Sequence, residues 1–128
     1  MVKVSLVDVV RLELKDENVV YTLPDKLEVK VGRDKQSNDV VLGVRENKEY
    51  VNISEKNRGT SEDFISTVSR NHCIIYNNNG IVSVRDAGSR NGTYVNDIPI
   101  YPSNKVNIND RDTLRLGFYI LQVKIEED

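Results

Sequence analysis

The chain has 128 residues, 18 Lys and Arg against 20 Asp and Glu, and a formal net charge of −2. That length fits one domain able to bury a core unaided, and the balance of charge argues against a protein that coats nucleic acid through surplus cations. A single cysteine, Cys73, and a single histidine, His72, exclude an internal disulfide framework and a His- or Cys-built metal centre. No apolar run nears the roughly 18 residues of a membrane span. The N-terminus meets Lys3 and Asp8 too early for a secretory leader, so a reduced, intracellular setting is expected.

Taken in chain order, the sequence reads as strands and turns. Lys3 to Leu14 alternates imperfectly and carries four valines. Asn18 to Leu23 is a second strand, stopped by Pro24-Asp25. Leu27-Glu28-Val29-Lys30-Val31 alternates cleanly, with Gly32 at its end, and Asp39 to Gly43 is a short buried run. Val44 to Ser66 breaks the rhythm with many charges, and reads as a long loop insertion in which Tyr50 to Ile53 could add a short strand. Cys73 to Tyr76 and Ile81 to Arg85 flank Asn77-Asn78-Asn79-Gly80 as a hairpin. Thr93 to Val95 and Ile98 to Ile100 flank Asn96-Asp97, another tight turn. Asn104 to Ile108, Thr113 to Gly117 and Phe118 to Ile125 complete the set. About ten short strands separated by turn residues imply an all-β sandwich or barrel in one domain spanning the chain.

Catalytic readings fail on context. Ser69, His72 and Asp86 are the letters of a hydrolase triad, but Ser69 and His72 lie three apart before a strand, with no elbow to expose a nucleophile. Gly32-Arg33-Asp34-Lys35 follows a strand, yet lacks both the phosphate-cradling glycine pattern and a helix behind it. Asn91-Gly92 alone is a turn signal.

The ordered combination says more. Gly32-Arg33 follows one strand, and Ser69-Arg70-Asn71-His72 precedes another. Asp86-Ala87-Gly88-Ser89-Arg90-Asn91-Gly92-Thr93 comes next, then Val95-Asn96 and Leu114-Arg115-Leu116-Gly117. From about Lys26 to Ile125 this resembles the forkhead-associated (FHA) domain, whose pattern is Gly-Arg, Ser-x-x-His and Asn-Gly on an all-β chain.

The resemblance implies a twisted antiparallel β-sandwich of about eleven strands, SMAD/FHA-like. Its implied function is a phosphothreonine-peptide binding module on loops at one end, acting in nuclear signalling, DNA-damage or cell-cycle control. The partner is then a phosphothreonine-containing protein, with no enzyme activity, cofactor, metal, nucleic acid or membrane involved. Residue by residue, Arg33, Ser69 and Arg70 match phosphate-binding or loop-stiffening positions, and Arg90 adds positive charge beside the phosphate. Asn91 matches the residue that bonds the peptide backbone, and Gly92-Thr93 borders a pocket for the threonine methyl. Gly32 and His72 match structural positions, with His72 bracing loops. Thr67 stands where some members carry a basic residue that reads an acidic peptide position, so that preference is not expected. The rival reading is a structural FHA-like domain that docks a partner through a sheet face or the insertion, without phosphate.

Overall fold

Val29 and Val31 are buried while Glu28 and Lys30 are exposed, the outcome that a period of two dictates for a strand with one face in the core. A computed structural model of the chain describes residues 2–9, 19–45, 48–49 and 65–127. Its strands in chain order are β1 (Val2–Asp8), β2 (Val20–Thr22), β3 (Glu28–Gly32), β4 (Val40–Val41), β5 (Val44–Arg45), β6 (Lys48–Glu49) and β7 (Cys73–Asn78). They continue as β8 (Ile81–Asp86), β9 (Thr93–Val95), β10 (Ile98–Ile100), β11 (Val106–Asn107), β12 (Thr113–Leu116) and β13 (Tyr119–Glu127). Six strands form one sheet in the order β10-β9-β12-β13-β1-β2, and five form the other in the order β11-β8-β7-β3-β4.

The expected all-β sandwich of eleven strands is therefore present in these two sheets. One pairing differs from the antiparallel expectation: β3 and β4 run parallel, joined through Val31 to Val40 and Gly32 to Val41. The connection is short because it curls on itself. Asp34 accepts from Ser37 N–H at 3.0 Å and, through its carbonyl, from the Asn38 amide at 2.9 Å. A second difference is β5 pairing with β6 at the start of the stretch read as a loop. Two residues per strand show no alternation that a sequence reading could use. The strand considered at Tyr50 to Ile53 lies outside the described residues, as does the continuation of the first strand from residue 10 to residue 14.

Between the sheets, Val4, Leu6, Leu114, Leu116, Leu121 and Val123 pack against Val29, Val31, Ile75, Val82 and Val84, all nearly free of solvent. Both predicted hairpins form. Asn79 and Gly80 have φ of 52° and 89°, and Asn96 and Asp97 have φ of 49° and 67°. Paired left-handed residues match the twist of the flanking strands. A buried polar relay ties β1, β2 and β13 together: Tyr119 Oη donates to Asp8 Oδ2 at 2.7 Å and lies 3.0 Å from Tyr21 Oη, which accepts from Gly43 N–H at 3.2 Å. Cys73 sits in the middle of the five-stranded sheet, between Val31 of β3 and Asp86 of β8, and burial pushes its thiol well above the usual range.

Candidate functional site

The strand order gathers four connections. The β3–β4 link, the segment before β7, the β8–β9 loop and the β12–β13 turn bond to one another. Arg33 N–H donates to Ser69 O at 3.1 Å, and Asp34 N–H to Arg70 O at 3.2 Å. The Asn38 amide also donates to Arg70 O, at 2.6 Å. Gly32 is required here by proximity: a Cβ on it would collide with the carbonyl of Arg70.

His72 fastens the second connection to the third. Its ring is buried; Nδ1 accepts from Ser69 N–H at 2.9 Å, which leaves the proton of the neutral ring on Nε2, 2.8 Å from Gly92 O. Burial lowers the His72 pKa, against the opposing pull of the Gly92 carbonyl and the charge of Asp86. This geometry is not that of a triad. His72 takes the backbone N–H of Ser69 rather than its hydroxyl, and the Asp86 carboxylate is spent on other donors.

Asp86 organises the third loop. Oδ2 accepts from Gly88 N–H at 2.9 Å and Ser89 N–H at 3.0 Å, and Oδ1 accepts from Ser89 Oγ at 2.5 Å and Thr93 Oγ1 at 2.6 Å. Burial opposes its charge, yet these donors together hold its pKa below the ordinary carboxylate value. Ser89 Oγ in turn accepts from Gly92 N–H at 3.0 Å. The loop is thus closed before any ligand arrives.

On the outer side lies a shallow depression whose lining includes Arg33, Thr67, Ser69, Arg70, Arg90 and Asn91 and no carboxylate. Arg33 Nε donates to Val68 O at 3.0 Å, which orients the guanidinium and leaves its two terminal nitrogens without a partner among the described residues. The side chains of Arg70 and Arg90 are exposed and make no hydrogen bond among the described residues. Ser69 Oγ accepts from Arg90 N–H at 2.9 Å, so its own hydrogen remains available to a further acceptor. Asn91 Nδ2 donates to Thr67 O at 2.9 Å, which leaves its carbonyl oxygen and second amide hydrogen facing outward chemistry.

Every residue singled out from the sequence lies at this end of the sandwich, in two groups. Arg33, Ser69, Arg70, Arg90 and Asn91 line the depression. Gly32, His72 and Thr93 are buried beneath it, and Gly92, with φ of 89°, turns the chain between them. Thr93 spends its hydroxyl on Asp86 and is wholly covered, so it supports the turn from below. Sequence reasoning missed Asn38, which braces the β3–β4 link, and the constructive part of Thr67. The Thr67 carbonyl positions Asn91, and its hydroxyl accepts from Phe118 N–H at 2.9 Å. The Asp-Ser-Asn clustering between Asp34 and Asn38 was the available signal for the first; the second carries no local signal.

Several solved structures share this architecture. One is an FHA domain from a structural and functional analysis of phosphothreonine-dependent FHA domain interactions, 20% identical with a TM-score of 0.67, and all of both chains is covered. The FHA domain of the CT664 protein from Chlamydia trachomatis is 19% identical with a TM-score of 0.67, again over all of both chains. The MEK1 FHA domain in complex with a HOP1 phosphothreonine peptide is 17% identical with a TM-score of 0.58, covering 98% of this chain and 97% of that one. No curated protein matches the chain. The sequence profile of the FHA domain matches residues 29–117. With well over half its length matched, and with the sandwich and loop framework described above, the chain belongs to the FHA domain family.

Proposed function

We propose that this chain is a phosphothreonine-peptide binding module that mediates phosphorylation-dependent protein–protein interaction. The observation that carries the reading is the lining of the depression: Arg33, Arg70 and Arg90, from three connections, line it together with Ser69, and no carboxylate is among the lining residues. A phosphate on a peptide brings about −1.5 to −2 charges and three strong acceptor oxygens. Guanidinium N–H groups that make no hydrogen bond among the described residues and a hydroxyl with a free hydrogen are the donors it needs. The ligand is read without chemistry upon it, and the role is that of an interaction module rather than an enzyme. The similar FHA domains studied with phosphothreonine ligands support this reading. A nuclear setting forms no part of it, since the similar domains include a bacterial one, from Chlamydia trachomatis.

The test is a titration of phosphothreonine peptides and their unphosphorylated counterparts against the purified chain. Binding confined to the phosphorylated set is expected. Equal binding of both sets would favour a phosphate-independent dock through a sheet face or the insertion.

A further inference from the structure

An asparagine followed by a glycine is prone to lose ammonia. The backbone nitrogen of the glycine attacks the side-chain carbonyl carbon of the asparagine. A C–N bond forms, the side-chain nitrogen departs as ammonia, taking with it the backbone proton, and a five-membered imide closes. Water then opens the ring at either carbonyl and leaves aspartate or isoaspartate. Glycine favours the attack because it has no Cβ to shield its nitrogen. This chain holds two such pairs, Asn79-Gly80 and Asn91-Gly92. The second supplies the amide that lines the candidate site.

The two pairs are held differently. Asn79 is exposed on the β7–β8 hairpin, and its side chain makes no hydrogen bond among the described residues. Gly80 N–H reaches Asn77 Oδ1 at 3.3 Å, a long contact to a side chain whose own bond to Val2 O is 3.4 Å. At Asn91-Gly92 both reacting groups are engaged. Gly92 N–H donates to Ser89 Oγ at 3.0 Å. That oxygen is fixed by its own donation to Asp86 Oδ1 at 2.5 Å, and Asp86 is fixed in turn by Gly88, Ser89 and Thr93. The Asn91 amide is anchored to a different segment, through Nδ2 to Thr67 O at 2.9 Å.

We propose that Asn91-Gly92 is a deamidation site kept closed by the Ser89 hydroxyl, while Asn79-Gly80 deamidates freely in the folded chain. For Gly92 N to attack, it must leave Ser89 Oγ and give up its proton, and the Asn91 amide must leave Thr67 O. Both departures need the loop to open. The reaction takes only water, so opening alone is enough to start it. Its product matters at this place in the fold. An aspartate or isoaspartate at position 91 only accepts hydrogen bonds, whereas the amide also donates. It also adds a negative charge to a depression that has no carboxylate. Such a charge repels a phosphate, so each converted molecule loses its ligand. That loss rests on the phosphothreonine reading above; the protection by Ser89 does not.

The experiment incubates the full chain in mildly alkaline buffer below its melting temperature and follows amide-to-acid conversion at both positions by peptide mass mapping. In the folded wild type, Asn91 is expected to convert at least about tenfold more slowly than Asn79, the scale of one hydrogen bond added to a barrier. In denaturant the two are expected to convert at similar rates, since each has glycine next to it. Ser89→Ala, shown to be folded by circular dichroism, is expected to bring Asn91 toward the rate of Asn79, and Ser89→Thr to keep it slow. If Ser89→Ala does not fold, the comparison of folded and denatured wild type still decides. Conversion of Asn91 as fast as Asn79 in the folded wild type, or an Asn91 rate unmoved by Ser89→Ala, would overturn the proposal. Phosphopeptide titration of the aged Ser89→Ala chain is expected to show binding falling in step with conversion at Asn91. Binding that survives that conversion would overturn the place of Asn91 in the phosphothreonine reading and leave the protection by Ser89 standing.

Discussion

The carbonyl of Gly92 takes the Nε2 proton of His72 at 2.8 Å while also accepting from Gly117 N–H at 2.9 Å. Both lone pairs of one oxygen are thus in use, and three of the four connections at the binding end meet there, because the other nitrogen of His72 holds Ser69. The family histidine braces the site from beneath and has no surface to offer a ligand.

Replacing His72 by Ala is expected to destabilise the fold more than it weakens intrinsic binding. The substitution strands the Ser69 N–H and removes one donor from Gly92 O in a buried setting. Each group left unpaired costs about 1–3 kcal/mol, and a cavity adds to that. A melting point lower by roughly 10 °C is expected for a domain of this size. An unchanged melting point accompanied by lost binding would show that His72 acts on the ligand instead.

The same ring gives stability a pH dependence of definite sign. His72 has a folded-state pKa below its ordinary value of 6.5, chiefly through burial. Below that value the unfolded chain takes up a proton that the folded chain resists, so the contribution is complete above about pH 6.5 and declines as pH falls toward the folded pKa. Thermal melts between about pH 7.5 and pH 5 are expected to show the decline in the wild type and a shallower one in His72→Gln. Parallel curves for the two proteins would remove His72 as the cause.

Arg33→Ala is expected to reduce phosphopeptide affinity at least about tenfold, the scale of losing a hydrogen bond to a charged group. Arg33→Lys keeps the charge but loses both the planar fork and the Nε bond to Val68 O, so most of the loss is expected to remain. Ser69→Ala is expected to cost less, since its hydroxyl is neutral. Calorimetry on folded variants reads all three, and an unchanged dissociation constant for Arg33→Ala would end the assignment.

Phosphothreonine is expected to be preferred over phosphoserine by about fivefold or more. The charges are the same, so Arg33, Ser69 and Arg90 cannot discriminate. The extra methyl contributes about 0.8 kcal/mol if buried and also restricts the ligand's χ1 rotation before binding. Thr93 is fully covered, so any such pocket is bordered by the Asn91-Gly92 turn and by what lines the depression around it. Two peptides differing by that methyl, titrated in one buffer, decide the point, and equal affinities would exclude a methyl pocket.

Legibility from sequence followed the range of the interactions involved. The sandwich could be read because each strand announces itself within a few residues, as Glu28-Val29-Lys30-Val31 does by alternation and Asn79-Gly80 does by its turn. The candidate site could be read only through resemblance, since no local rule joins Arg33 to Ser69 across 35 intervening positions. Asn38 and the bracing part of Thr67 stayed hidden for a related reason. Asn38 holds the Arg70 carbonyl, and Thr67 holds the Asn91 side-chain amide and the Phe118 N–H, all partners far off in sequence. The relay from Gly43 through Tyr21 and Tyr119 to Asp8 spans almost the entire chain, and nothing in any one segment calls for it.

Cys73 lies against Asp86 and Val31 in the innermost part of the five-stranded sheet, with a thiol that burial keeps protonated. Thiol reagents attack the thiolate, so this sulfur reacts only when the sheet around it opens. The chain therefore contains its own clock for opening, with one labelling event per molecule because the sequence holds a single cysteine. A ligand that binds the closed form alone withdraws molecules from the open population by mass action. Its affinity can be read as a slowing of Cys73 modification, with no tag on the peptide and no probe added to the loops that receive it.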